Sequence, residues 1–152
     1  MDLKRLQDTF PFHWKIQSFN DAKTKACCVA YMDARDVMNV LDQVVWPENW
    51  QDKYEKQWDV FFAGIWIKIN DEWVWKWDTW TEAKREAEKS QFSDGFKRAW
   101  VKWWIGRFLY KQNKIWVNID QYKNPLDKNW NKVSDLNEYC NKINDYFNSK
   151  KQ

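Results

Sequence analysis

Apolar and polar positions along the chain fall into two periods, and the points where one gives way to the other outline the elements. Leu3 to Gln7 reads as a short leading helix before Pro11. Trp14-Lys15-Ile16-Gln17-Ser18-Phe19 alternates as a half-buried strand does, and Lys25 to Tyr31 is a second β-prone run. From Asp33 the period lengthens: Val37, Val40, Leu41 and Val44 recur at helical spacing, with Asp33 placed to accept from free N–H groups at the helix start. Trp50 to Gln57, Val60 to Ile69 and Trp73 to Asp78 then predict three consecutive strands, joined by turns near Trp58 and at Asn70-Asp71. This is an antiparallel meander in which Phe61, Ala63, Ile65, Ile67 and Ile69 share the core face.

Thr81 to Lys89 is a charged helix or loop with little to bury, expected to be mobile. Beyond it, Phe92, Phe96, Ala99 and Trp103 make one apolar helical stripe, with Lys97, Arg98 and Lys102 off it. Ile115 to Ile119 adds a strand. Ser134 opens a final helix packed through Leu136, Tyr139, Cys140, Ile143 and Phe147. The expected class is therefore α+β: a β-β-β-α core, its antiparallel meander packed on a basic helix, with flanking N- and C-terminal helices. With 152 residues the chain suits one domain, core about 12–120 and C-terminal helix about 134–148.

Composition changes the picture at one point. There are 14 Trp and only three Gly, where ordinary usage gives about 11 Gly. Several Trp stand where turn chemistry asks for glycine. Trp46 ends a helical run before Pro47, Trp80 follows Asp78-Thr79 between elements, and Trp130 follows Asn129 in a polar stretch. These positions suggest a gene that uses UGA for glycine and has been translated with UGA as Trp. Reading Trp46, Trp58, Trp66, Trp80, Trp100, Trp104 and Trp130 as Gly leaves seven Trp and ten Gly. The rival is a genuine aromatic surface for stacking bases.

The chemistry available is narrow. His13 is the only histidine, which leaves little for a Ser-His-Asp triad, a Cys-His dyad or a His-rich metal site, and beside Phe12 and Trp14 it reads as packing. Cys27, Cys28 and Cys140 lack CxxC spacing and are expected to be buried thiols. No phosphate-binding GxxxxGK[ST] or GxGxxG is present, no apolar run approaches the roughly 18 residues of a membrane span, and no short apolar leader is read behind Met1. A soluble intracellular protein without cofactor or metal is the expectation. Net charge is only +3, yet from Gly95 through Ile119 there is no acid while Lys97, Arg98, Lys102, Arg107, Lys111 and Lys114 all occur, so the remainder carries −3. Such a stripe beside aromatic residues suits phosphates and bases; a solvated helix face is the plainer alternative.

Tyr31-Met32-Asp33-Ala34-Arg35-Asp36-Val37, Val44-Val45-Trp46-Pro47-Glu48-Asn49-Trp50 and Trp73 through Glu82 resemble the Rad fifty-two family of single-strand annealing proteins, its phage Sak branch in particular. Phe92-Ser93-Asp94-Gly95-Phe96-Lys97-Arg98-Ala99 with Val101 through Tyr110 carries the resemblance furthest. It spans roughly Trp14 to Val117, and the family motif has Gly at positions 46, 80 and 104. The resemblance implies ATP-independent binding and annealing of single-stranded DNA by a homo-oligomeric ring or helical arc, without catalysis, in the cytoplasm of a bacterial or phage-infected cell. Host single-strand-binding protein is a further candidate partner. The family's groove cations fall on Lys97 and Arg98, and a basic residue at the earlier helix start falls beside Arg35, offset by one. Lys102 and Arg107 join them by charge position. A metal-dependent nuclease using Asp33, Asp36 or Asp78, and a scaffold that binds nucleic acid without annealing, are the competing classes.

Overall fold

The computed structural model describes residues 1–81 and 88–151. A 3₁₀ turn (Leu3–Gln7) is followed by β1 (His13–Phe19), β2 (Lys25–Tyr31), α1 (Ala34–Val45), a 3₁₀ turn (Pro47–Asn49), β3 (Trp50–Gln57), β4 (Val60–Ile69) and β5 (Glu72–Thr81). Then come α2 (Glu88–Lys102), a 3₁₀ turn (Arg107–Lys111), β6 (Ile115–Ile119), β7 (Pro125–Leu126) and α3 (Leu136–Ser149). The class is α+β with two antiparallel sheets, ordered β1-β2-β6-β7 and β3-β4-β5. Most of the charged stretch expected at Thr81–Lys89 lies outside the described residues.

The chain forms two compact units, of which the first comprises residues 1–11 and 32–108. Here Asp33 closes a capping box: its carboxylate accepts from the Asp36 N–H at 2.9 Å, and the Asp36 carboxylate accepts from the Asp33 N–H at 2.8 Å. The helix so started buries Val37, Val40, Leu41, Val44 and Val45. The meander is in continuous register, Trp50 opposite Ile67 through Gln57 opposite Val60, and Val60 opposite Thr81 through Ile69 opposite Glu72. The inward residues Ala63, Ile65 and Ile67 are fully buried, and α2 covers β4 and β5. On α2 the buried stripe is Phe96, Ala99 and Trp100, continued by Trp103 just past the helix end, whose indole N–H donates to the Ile65 carbonyl at 2.9 Å. Trp100 adds to the expected stripe and meets Phe96 edge-on.

The second unit comprises residues 12–31 and 109–152. Trp14, Ala26, Cys28, Ile115, Val117, Ile119 and Cys140 form its core, and α3 packs on β1 and β6. All three cysteines are free and buried. The last helix departs from the sequence reading in two places. Asp135, and not Ser134, caps it, accepting from the Glu138 N–H at 3.0 Å. Phe147 is exposed, and the interior position one turn earlier belongs to Asn144, whose amide is satisfied by Gln112 and Asn113.

Backbone conformation bears on the tryptophans. Trp46, Trp58, Trp104 and Trp130 have φ of 76°, 61°, 68° and 65°, the left-handed region that glycine enters without a Cβ clash. All four belong to the seven positions suspected of being glycine. Trp66 and Trp100 lie instead in regular strand and helix, where φ makes no such demand.

Candidate nucleic-acid interface

At the end of α2 two of the expected cations, Lys102 and Arg107, bond to backbone carbonyls. A helix leaves its last carbonyls without partners, and the partial negative charge there favours cations. Two cations reach these carbonyls: Lys76 of β5 donates to the Lys102 carbonyl at 3.1 Å, and the Arg107 Nε donates at 2.8 Å to the Val101 carbonyl, which also accepts from the Trp104 N–H. Lys102 in turn donates to the Trp77 carbonyl at 2.8 Å and lies 3.7 Å from the Asp78 carboxylate. The ring of Trp104 lies between Lys76, 4.3 Å from its centroid, and Arg107, 5.4 Å away, while Lys76 also lies 4.6 Å from the Trp103 centroid. Burial, and then the Arg107 guanidinium, holds the Lys76 ammonium below the usual lysine range. Glycine at position 104 would leave the three backbone-directed bonds untouched.

Of the five cations singled out in the sequence, Lys102 and Arg107 are thus each held by a backbone carbonyl. Lys97 and Arg98 lie earlier on the same helix, Lys97 half-buried and Arg98 exposed. Arg98 and Lys102 are four residues apart and share a helix face. Arg35, at the second position of α1, is almost fully exposed and pairs loosely with Asp33 at 3.6 Å. Among the described residues no hydrogen bond or ion pair joins it to the other four. Lys76 was missed by sequence reasoning. The signal was a single cation at an inward position of an alternating strand, which needs an acceptor facing it.

The acids weighed for metal chemistry have other partners in this fold. Asp33 and Asp36 cap α1, and Asp78 faces Lys102 and accepts from the Thr79 N–H at 2.8 Å. Among the described residues no three of His, Cys, Asp or Glu converge on a point that could hold a metal ion. None of the described helices is long and apolar enough to cross a membrane.

The described site is a β-β-β-α unit with cations at the end of its helix, and comparison with known proteins shows what it resembles. Residues 65–128, from within β4 through α2 to β7, match the Rad52/22 family double-strand break repair protein. The chain is 34% identical over 122 residues to the single-stranded DNA-binding protein DdrA of Deinococcus radiodurans, covering 77% of this chain and 58% of that one. It is 32% identical over 119 residues to DdrA of Deinococcus deserti, covering 75% and 59%. Over the matched residues the chain is similar to the Rad52/22 family, and it spans just under three fifths of the length of the DdrA relatives. No solved structure matches it. The matched segment contains Lys76, Lys97, Arg98, Lys102 and Arg107; Arg35 precedes it.

Proposed function

We propose that this chain binds single-stranded DNA and anneals complementary strands without ATP, in homologous recombination and repair of the phage type. The observation that carries the reading is the group of cations on and beside the end of α2, within the segment shared with the Rad52/22 family. The names of the DdrA relatives support the ligand. Annealing has two physical requirements: the repulsion between two phosphate chains must be screened, and the bases must be kept accessible. Arrayed cations neutralise phosphates, which screens the repulsion and releases condensed counterions, and by holding the backbone they leave the bases accessible, with no bond made or broken.

In this reading the protein is a non-catalytic annealing domain over residues 1–152, with Lys97, Arg98, Lys102 and Arg107 contacting phosphates and Arg35 extending the track. Copies assemble into a ring or helical arc in the cytoplasm of a bacterial or phage-infected cell, where host single-strand-binding protein is a candidate partner. The test is affinity for a short oligo(dT) across a salt series. Four neutralised phosphates predict a log-log slope of about −3. A flat profile overturns the phosphate-track reading.

A further inference from the structure

The cations account for one side of β5, and its other side carries a row of exposed tryptophans. Alternation along β5 places Trp73, Trp75 and Trp77 on the face opposite Lys76, and register sets Trp75 across from Trp66 and Trp77 across from Gly64. All three β5 indoles are substantially exposed, Trp75 by half. Their rings lie nearly parallel: Trp66 and Trp75 are 6.0 Å apart at 23°, and Trp75 and Trp77 are 5.8 Å apart at 21°. Gly64 makes this possible. A Cβ there would fall 2.5 Å from a ring carbon of Trp66 and 3.2 Å from the Trp77 Cβ, so a bare backbone lets the rings lie against the sheet. The result is a shallow depression of about 200 Å³ floored by Gly64 and walled by Trp66, Trp75, Trp77 and Phe62, with Lys53 and Gln57 at its rim.

We propose that this outer face of the β3-β4-β5 sheet, centred on Trp75 and Trp77, is a stacking platform for the bases of single-stranded DNA. The inference rests on the single-stranded DNA reading above and adds a second contact surface to it. Three observations favour bases as the occupant. Flat π faces paired with polar rim groups match a nucleobase, which has an apolar face and a hydrogen-bonding edge, and such stacking tolerates any sequence. The local charges nearly cancel, Lys53 lying 3.5 Å from Glu55, so the face offers little to a phosphate itself. The platform also adjoins the cations through one edge strand: Lys76 projects between Trp75 and Trp77 on the reverse side, and Lys102 bonds the Trp77 carbonyl. A backbone held along that edge leaves its bases within reach of the rings. Trp75 and Trp77 lie outside the seven positions suspected of being glycine and Trp66 lies among them, so under the glycine decoding the platform keeps the Trp75–Trp77 pair and loses the Trp66 wall.

The test compares oligo(dT) with an abasic deoxyribose-phosphate strand of equal length, using the full chain and following intrinsic tryptophan emission. Oligo(dT) should quench emission and bind more tightly than the abasic strand. Trp75→Ala and Trp77→Ala should each weaken oligo(dT) binding by about 5- to 150-fold, the range expected for one lost base stack. Affinity for the abasic strand and the salt slope should stay unchanged, and Trp75→Phe should recover most of the loss. Circular dichroism confirms that the variants are folded. Equal losses for both strands, or no loss for oligo(dT), overturn the platform. So does a fall in sedimentation mass with unchanged affinity per protomer, which makes the face an interface between copies. In those cases salt-dependent binding of the wild-type chain to the abasic strand still upholds the phosphate track. A wild-type chain that binds neither strand overturns both.

Discussion

Lys76 and Lys102 exchange roles across the junction of β5 and α2: the ammonium of Lys76 donates to the Lys102 carbonyl at 3.1 Å, and the ammonium of Lys102 donates to the Trp77 carbonyl, next to Lys76, at 2.8 Å. Two like charges are thus drawn together by backbone acceptors. Part of Lys102 is therefore a clasp. Lys102→Ala should cost about 1 kcal/mol of stability and weaken oligonucleotide binding as well. Lys102→Arg should keep most of the binding. Urea midpoints alongside binding isotherms separate the two effects, and a stability loss with unchanged binding would remove Lys102 from the interface.

Lys97 and Arg98 make the complementary case, since neither belongs to the buried stripe of Phe96, Ala99 and Trp100. Lys97→Ala and Arg98→Ala should each leave the melting temperature nearly unchanged and flatten the salt slope by about 0.7. The double variant should be almost inactive in binding and annealing. A severe drop in melting temperature with normal annealing by the folded fraction would withdraw Lys97 from the site.

At the four left-handed tryptophans, substitution should stabilise. Trp58 is 93% exposed with φ of 61°, so Trp58→Gly loses almost no burial and relieves a strained backbone. The strain of about 1–2 kcal/mol exceeds the added chain entropy of glycine, about 0.5–1 kcal/mol. Trp130→Gly should behave alike. The urea midpoint should rise for each, and the gene should carry UGA at both codons. UGG there, or a lowered midpoint, contradicts the glycine assignment.

Asp33 is assigned to the capping box. Asp33→Ala should therefore cost about 1 kcal/mol in urea denaturation and leave oligonucleotide affinity of the folded protein unchanged. Magnesium-dependent cleavage of a labelled single strand, abolished by the same substitution, would instead make Asp33 catalytic.

How far the chain could be read without coordinates varied with the length scale of each signal. The capping pair Asp33-Asp36, the 3.6-residue spacing of Val37 to Val44 and the alternation of β3 and β4 are local patterns, and their boundaries emerge as expected. β7 is two residues long, too short for any period. Ser134 and Asp135 are adjacent cap formers, and only the geometry of the Glu138 N–H selects Asp135. Phe147 continued an apolar stripe on paper, whereas satisfied amide bonds let Asn144 take the interior position. At the interface, the cations of α2 were visible as an acid-free run. The part played by Lys76 was not, because it depends on which strand passes the end of α2, a contact between residues 26 apart.

The most direct test of the central claim is the rate at which complementary oligonucleotides anneal with the protein present, with chelator and without any nucleotide. Annealing should run well above the spontaneous rate for the wild-type chain and return close to it for the Lys97→Ala, Arg98→Ala double variant. A wild-type chain that binds both strands yet leaves the annealing rate at its spontaneous value would contradict the account.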